Sequence, residues 1–431
     1  MRRPRVRGST SGAKMGMSLL WAAGFVSLGH GALHQAGVRL EDLVAQALKS
    51  NPAVLGATQK VEEASSHVAE VEGHRRLQLS LNGTASASTG QVAQPVANQT
   101  FGTIEAGLIA PIPNFAKAGA EVEQAVANLS VARAQLRRVQ LDIEFRTVSA
   151  AYELRRSIDG RQIAQENLDQ AQRQETDTKT RISHGDLPPA DLLKAQVPVA
   201  QDRAALVRAK SEVRIARQVL NDLLQRNLNE ELDVALQAED ATPPVAPDQA
   251  LSAALQGPDV AEAKAQVQAA EANERIARRG RDPDFAFQLT HARTGDPTAY
   301  SYLSTLALTV SLPLTDGGVT REQVRQARLQ TDQARTALKQ AEQRTRLAVE
   351  EALLDVESDQ ASVAATAETE AIAKESLAKS RQSYQAGLTT TRDVLDAQLI
   401  YSQARIQTNS ARYDLAIAQA HLRQLLATPT P

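Results

Sequence analysis

The sequence predicts a mainly helical chain, built as a tandem duplication of long α-hairpins, with a small membrane β part of four strands. Three observations predict it. Internal similarity holds at fixed offsets, two very long stretches carry helical periodicity without proline, and two short windows lose their charge and switch to period two. Composition agrees. Only 3% of the 431 residues are aromatic, which is thin material for two or three globular cores, while Ala, Gln, Glu, Arg and Leu are abundant. Forty-eight Lys and Arg against 50 Asp and Glu leave a formal charge of -2, so no basic excess argues for nucleic acid. The absence of cysteine excludes disulfides, thiolate zinc, iron–sulfur clusters, a cysteine nucleophile and an acylated lipoprotein N-terminus.

The duplication is read at an offset of 202, where Pro111 matches Pro313, Val122 matches Val324, Gly185 matches Gly387, Asp191 matches Asp393, Leu193 matches Leu395 and Gln196 matches Gln398. Upstream the offset becomes 206, with Pro52/Pro258, Val54/Val260 and Val61/Val267 in register. Residues 1–36 read as an export signal, with Arg2, Arg3, Arg5, Arg7 and Lys14 ahead of an apolar stretch from Met15 to Gly29. The first repeat then covers 37–228, a Pro-rich acidic linker 229–248, the second repeat 249–427 and a tail 428–431.

Each repeat reads as helix, strand pair, very long helix, tight turn, helix. Leu43, Ala47, Leu48, Leu55, Val61 and Val68 recur at helical spacing, interrupted at Asn51-Pro52 as a proline dictates, and Gly257-Pro258 repeats the break. The long helices run from about Phe115 to Ser183 and from about Val319 to Gln385, with small apolar residues alternating with Gln, Glu and Arg. That pattern suits a narrow coiled-coil seam.

The strand pairs fall in 77–112 and 284–313. Between Arg76 and Lys117 the only charged residue is Glu105, and between Asp284 and Asp316 there are only Arg293 and Asp296. Leu77, Leu79 and Leu81 alternate with Gln78, Ser80 and Asn82, and Leu306, Leu308, Val310 and Leu312 alternate with Thr305, Ala307, Thr309 and Ser311. Strands with one face in lipid and one toward water have this dyad pattern. Phe101, Phe285, Phe287, Tyr300 and Tyr302 lie in the same windows, where interfacial girdles need aromatics. Four strands cannot close a barrel and an open edge is not tolerated in lipid, so other copies must complete it. A homotrimer supplies 12 strands, within the range of outer-membrane barrels.

This order of elements, together with two helix-turn-helix tips, resembles the TolC family of outer-membrane efflux factors over nearly the whole mature chain. The second tip reads Tyr384-Gln385-Ala386-Gly387 and then Asp393-Val394-Leu395-Asp396-Ala397-Gln398; the first runs from Gly185 through Asp191, Leu193 and Gln196. The junction Pro313-Leu314-Thr315-Asp316-Gly317-Gly318 also fits, and Pro111-Ile112-Pro113-Asn114-Phe115-Ala116 fits less well. The resemblance implies a trimeric channel-tunnel of a tripartite efflux or type I secretion system. Its 12-stranded barrel sits in outer-membrane lipid, and its periplasmic helical barrel docks on a periplasmic adaptor and an inner-membrane pump. It further implies a periplasmic gate at Asp393, Asp396, Asp191, Tyr384 and Thr389, and tip turns for adaptor docking at Gly185, Gly387, Leu193 and Leu395. Thr389 departs from members that carry arginine there. A periplasmic coiled-coil adaptor or a structural coiled coil are the alternatives; the first lacks its flanking domains here, and the second leaves the period-two windows without a role.

From the residues alone, the acids have a second reading. Asp191, Asp393 and Asp396 stand in the first turns of helices, where capping and the dipole favour carboxylates whatever their function. Gly185 and Gly387 suit left-handed helix ends. Arg278, Arg279 and Arg281 suit a helix C-terminus or headgroup contact. The sequence shows no Gly-rich phosphate loop and no nucleophile elbow, and the paired His67 and His74 lack a carboxylate at ligand spacing. No enzyme activity, cofactor or metal site is expected.

Overall fold

A proline at the first helical position opens the second helix of each repeat. In the computed structural model, α1 (Leu40–Ser50) stops at Asn51, whose side chain accepts from Ala53 N at 3.0 Å and caps α2 (Pro52–Gly73). The structure describes residues 38–76, 78–88, 99–112, 115–185, 187–232, 234, 236, 246–296 and 299–427, so the expected signal, Asn114 and the tail lie outside it. The chain continues through β1 (Gln78–Ser88), β2 (Gln99–Ile112), α3 (Phe115–Ser183) and α4 (Ala190–Leu223). The second repeat supplies α5 (Pro247–Ala254), α6 (Pro258–Arg278), β3 (Asp284–Asp296), β4 (Ala299–Ser311), α7 (Val319–Gln385) and α8 (Thr391–Leu425).

The long helices α3 and α7 contain 69 and 67 residues, each on the order of 100 Å. Each folds back on its shorter partner across a thin apolar seam. Leu168, Ala171, Val199 and Leu206 fill one such seam, and Leu377, Tyr384, Val394 and Ala397 the other. Pro198 sits inside α4, where it forgoes one backbone hydrogen bond.

The two hairpins meet differently. Where α3 lies along α8, an apolar cluster of Val148, Tyr152, Tyr413, Ala416 and Ala420 gives way to polar contacts nearer the turns. Tyr413 donates to Asp159 at 2.6 Å, Asn409 donates to the Arg156 carbonyl at 3.2 Å, and Asn167 donates to Ser402 at 2.6 Å. Arg156 pairs with Asp414 at 2.9 Å and Arg405 with Glu166 at 2.7 Å. The Tyr413 hydroxyl is pushed above its ordinary pKa by burial and by Asp159.

The largest apolar core sits where α1 crosses this bundle. Leu43, Ala47, Leu154 and Leu220 are fully buried there, joined by Leu232 and Val234. The last two belong to the stretch read as linker. Val234 pairs with Val38 in an isolated parallel bridge, so part of that stretch is structural core.

The four strands form one antiparallel meander in the order β1-β2-β3-β4, inside the two predicted windows. Its register places Leu79 opposite Leu108, Leu108 opposite Leu289 and Leu289 opposite Leu306. One face therefore carries Leu79, Leu81, Ile104, Leu306, Leu308 and Val310, all exposed, beside Phe285, Phe287 and Leu289. The same register puts Glu105 level with Asn82 and Ala292 on the opposite, polar face, where Leu303 is an apolar exception. The large apolar side chains thus point away from the protein, because no second layer covers them.

Asp316 organises the return from strand to helix. Its carboxylate accepts from Gly318 N at 3.0 Å and Thr320 N at 2.8 Å, and pairs with Arg281 at 2.7 Å across the sheet's base. Gly317 and Gly318 take φ values of 63° and 91°, a left-handed pair that L side chains resist. These bonds hold the Asp316 carboxyl well below the ordinary aspartate range. The basic cluster stands at the C-terminal end of α6 as expected, and its members are also paired: Arg278 with Glu274, Arg279 with Asp282 and Arg281 with Asp316.

Two outcomes follow for stability. Tyr413→Phe removes one of two partners of the half-buried Asp159, Arg155 at 3.1 Å remaining, and costs about 0.5–1.5 kcal/mol, measured as a lowered denaturation midpoint of the purified protein. Asp316→Ala lowers that midpoint at neutral pH. Because the folded-state pKa is depressed, the difference from wild type shrinks as pH falls below about 4.

Candidate periplasmic gate and tip turns

The turn between α7 and α8 is built by three locally determined features. Gly387 takes φ of 73°, which ends the long helix. Thr390 caps α8 and forms a capping box with Asp393: the Asp393 carboxylate accepts from Thr390 N at 2.8 Å and from its hydroxyl at 2.7 Å. Val394, fully buried, packs with Leu377, Tyr384 and Ala397 and pins the turn to the hairpin.

Those bonds decide part of the question about the acids. The hydrogen bonds from Thr390, with Arg392 nearby, hold the Asp393 carboxyl below its ordinary range, so it is ionised at neutral pH and starts the helix as well. Asp396 lies one turn on, exposed, with Arg392 at 3.7 Å. Asp191 opens α4 and pairs with Lys194 of its own helix at 2.8 Å. Gly185 turns the first hairpin with φ of 83°.

Tyr384 is 6% exposed. Its hydroxyl accepts from Thr391 at 3.3 Å, and the guanidinium of Arg181 lies over its ring, 4.3 Å from the centroid. No hydrogen bond joins Tyr384 to Asp191 among the described residues. Thr389 has a buried hydroxyl without a hydrogen-bond partner there. Leu193 and Leu388 are exposed at the turns, whereas Leu395 is half-buried. Sequence reasoning missed Arg181 because an arginine in the last turn of a helix reads as a dipole partner; only the packing of α3 beside α7 reveals its ring. Contrary to the sequence reading, His67 does have a carboxylate at helical spacing, Glu70 at 3.1 Å, although no group of three possible metal ligands forms among the described residues.

The profile of the family described as Outer membrane efflux protein matches residues 43–225 and 250–428, one segment in each half of the duplication. The chain belongs to this family. It is an outer-membrane efflux protein. No helix among the described residues is long and apolar enough to cross a membrane.

Solved structures share the fold of this efflux protein. The CusC channel superimposes with a TM-score of 0.82 at 20% identity, over 91% of this chain and 93% of that one. The CmeC outer membrane channel of Campylobacter jejuni gives 0.80 at 15% identity, over 90% and 85%. The MtrE outer membrane channel of Neisseria gonorrhoeae, in its open state, gives 0.80 at 19% identity, over 90% and 89%. No curated protein matches the sequence significantly.

At the second tip, Gly387→Ala forces a side chain into the left-handed region. It costs about 1–2 kcal/mol, read as a lower midpoint in thermal unfolding of the assembled protein.

Proposed function

We propose that three copies of this chain close a barrel of 12 strands in the outer membrane, and that the channel is a passive conduit, without chemistry of its own, gated at its periplasmic tip. The observation that carries the closed assembly is the open four-stranded sheet with its apolar face outward. Its edges have no partner strand within the described chain, and lipid supplies none. The helical hairpins of three chains then surround one lumen, and their turns meet at its periplasmic mouth.

In this reading Asp393 and Asp396, three residues apart and on one helix face, contribute six carboxylates around the mouth. A ring of like charge favours cations and binds multivalent ones in passage. The hydrogen bonds that lower the Asp393 pKa favour its charged form. The capping box supports a second role for Asp393 in starting α8, and the two roles coexist in one carboxylate. Tyr384, Thr389 and Asp191 complete the gate region. The turns at Gly185 and Gly387, with Leu193 exposed and Leu395 half-buried beside them, suit docking by the tip of a periplasmic adaptor that joins the channel to an inner-membrane pump. The pump supplies both the substrate and the energy.

Conductance in planar bilayers tests the gate. Replacing Asp393 and Asp396 together by Asn keeps an oxygen to accept from Thr390 while removing six charges, so block by multivalent cations weakens roughly tenfold or more. Wild-type block in turn weakens as pH falls below the ordinary aspartate range of about 4. Unchanged block in the double variant contradicts the gate assignment.

A further inference from the structure

The polar fasteners between the two hairpins are unevenly distributed. Arg156 with Asp414, Asp159 with Tyr413, Glu166 with Arg405 and Asn167 with Ser402 tie α3 to α8 over about three turns. Beyond Asn167 they stop. Over the next 14 residues of α3, roughly 20 Å, the described residues form no hydrogen bond or ion pair to the second hairpin. The stretch also holds a like-charge pair: Arg381 on α7 is held below its ordinary pKa by burial and by Arg173 on α3. The hairpins are therefore easiest to part at the end nearest the turns.

At that end, among the described residues, one ring contact joins the hairpins: Arg181 of α3 on the face of Tyr384 of α7. Both partners are fixed before they meet. Asp177, one turn back on α3, holds Arg181 at 3.2 Å. Tyr384 is locked by Leu377, Val394 and Ala397, and by Thr391 on its hydroxyl. A partly buried cation over an aromatic face is a directional contact that breaks within a small separation, unlike a long-range charge pair.

We infer that Arg181 is the positioning residue that latches the two hairpins of each chain together at the tip, through its contact with the ring face of Tyr384. Opening the mouth by parting the hairpins must lift the guanidinium off the ring. The latch lies within one chain, so it sets how readily each chain opens, independently of contacts between copies. This inference rests on the tip being the gate.

Open probability of the reconstituted full-length channel tests it, with assembly of each variant checked beforehand. Arg181→Gln keeps a planar polar group but no charge, and raises the open-to-closed ratio by roughly tenfold. Arg181→Lys restores part of the closure. Tyr384→Leu opens the channel as Arg181→Gln does, and the two together open it no further than either alone. Tyr384→Phe, which keeps the ring face and loses the bond from Thr391, shifts the ratio less than Tyr384→Leu. Should Arg181→Gln fail to assemble, the Arg181→Lys and Tyr384→Leu variants carry the same comparison. The latch is overturned if Arg181→Gln and Tyr384→Leu leave gating unchanged, if their effects add in full, or if Tyr384→Phe opens the channel as far as Tyr384→Leu. The Asp393→Asn, Asp396→Asn double variant separates the two failures: if it weakens cation block while the latch variants are silent, the tip is the gate and the latch is wrong. If every variant is silent, the gate reading falls with it.

Discussion

A four-stranded antiparallel sheet leaves one row of backbone N–H and C=O groups unpaired along each outer edge, here along β1 and β4. In hydrocarbon each such group costs several kcal/mol, so the sheet cannot remain alone in the membrane in which this family resides. Much of the architecture follows from that constraint. Most large apolar residues share one face because lipid is their solvent, while Glu105 and most of the Ser, Thr and Gln residues share the other; His291, Arg293 and Ser304 stand on the apolar face toward the β3–β4 turn. Closure by further copies obliges the helices below to arrange themselves around the same axis. Helices that wall a tube have no common interior to fill, and this chain accordingly packs them through thin seams of Ala, Val and Leu.

Joining such a sheet to such helices requires rigid corners. Asp316 provides one by holding the start of α7 and the approach to β3 at once, through two backbone amides and Arg281. The polar seam between α3 and α8 plays a related part. An apolar seam tolerates sliding, whereas Tyr413 on Asp159 and Arg405 on Glu166 fix the axial register of one hairpin against the other. Register matters because the turns of both hairpins must reach the same level at the mouth. The seam then loosens toward the tip, where motion is needed.

Legibility in the sequence followed the range of the interactions. Helix and strand extents were readable because they depend on local periodicity: the expected limits of α3 and α7, at Phe115, Ser183, Val319 and Gln385, coincide with those observed. The breaks at Asn51-Pro52 and Gly257-Pro258 were readable from proline's missing amide hydrogen. The roles of Leu232 and Val234 were not, since two apolar residues among prolines and acids give no period, and their burial depends on α1 crossing above them. Arg281 looked like a dipole partner until Asp316, 35 residues on, came beside it. At the tips, residue types pointed to Asp393 as a charge or a cap, and the structure shows its capping bonds. The partners of Tyr384 became visible only once α3 was placed against α7.

The central claim is that β1 of one chain pairs with β4 of another until the sheet closes. The chain contains no cysteine, so thiols introduced singly on each edge strand react without background. Pairs combining one position between Leu79 and Ser88 with one between Ala299 and Val310, oxidised in intact outer membranes, report that pairing directly. The account predicts that alternate pairs yield covalent species ending at three chains, and that the same channels still conduct. Only single chains at every pair, or a ladder that climbs past three, contradicts it.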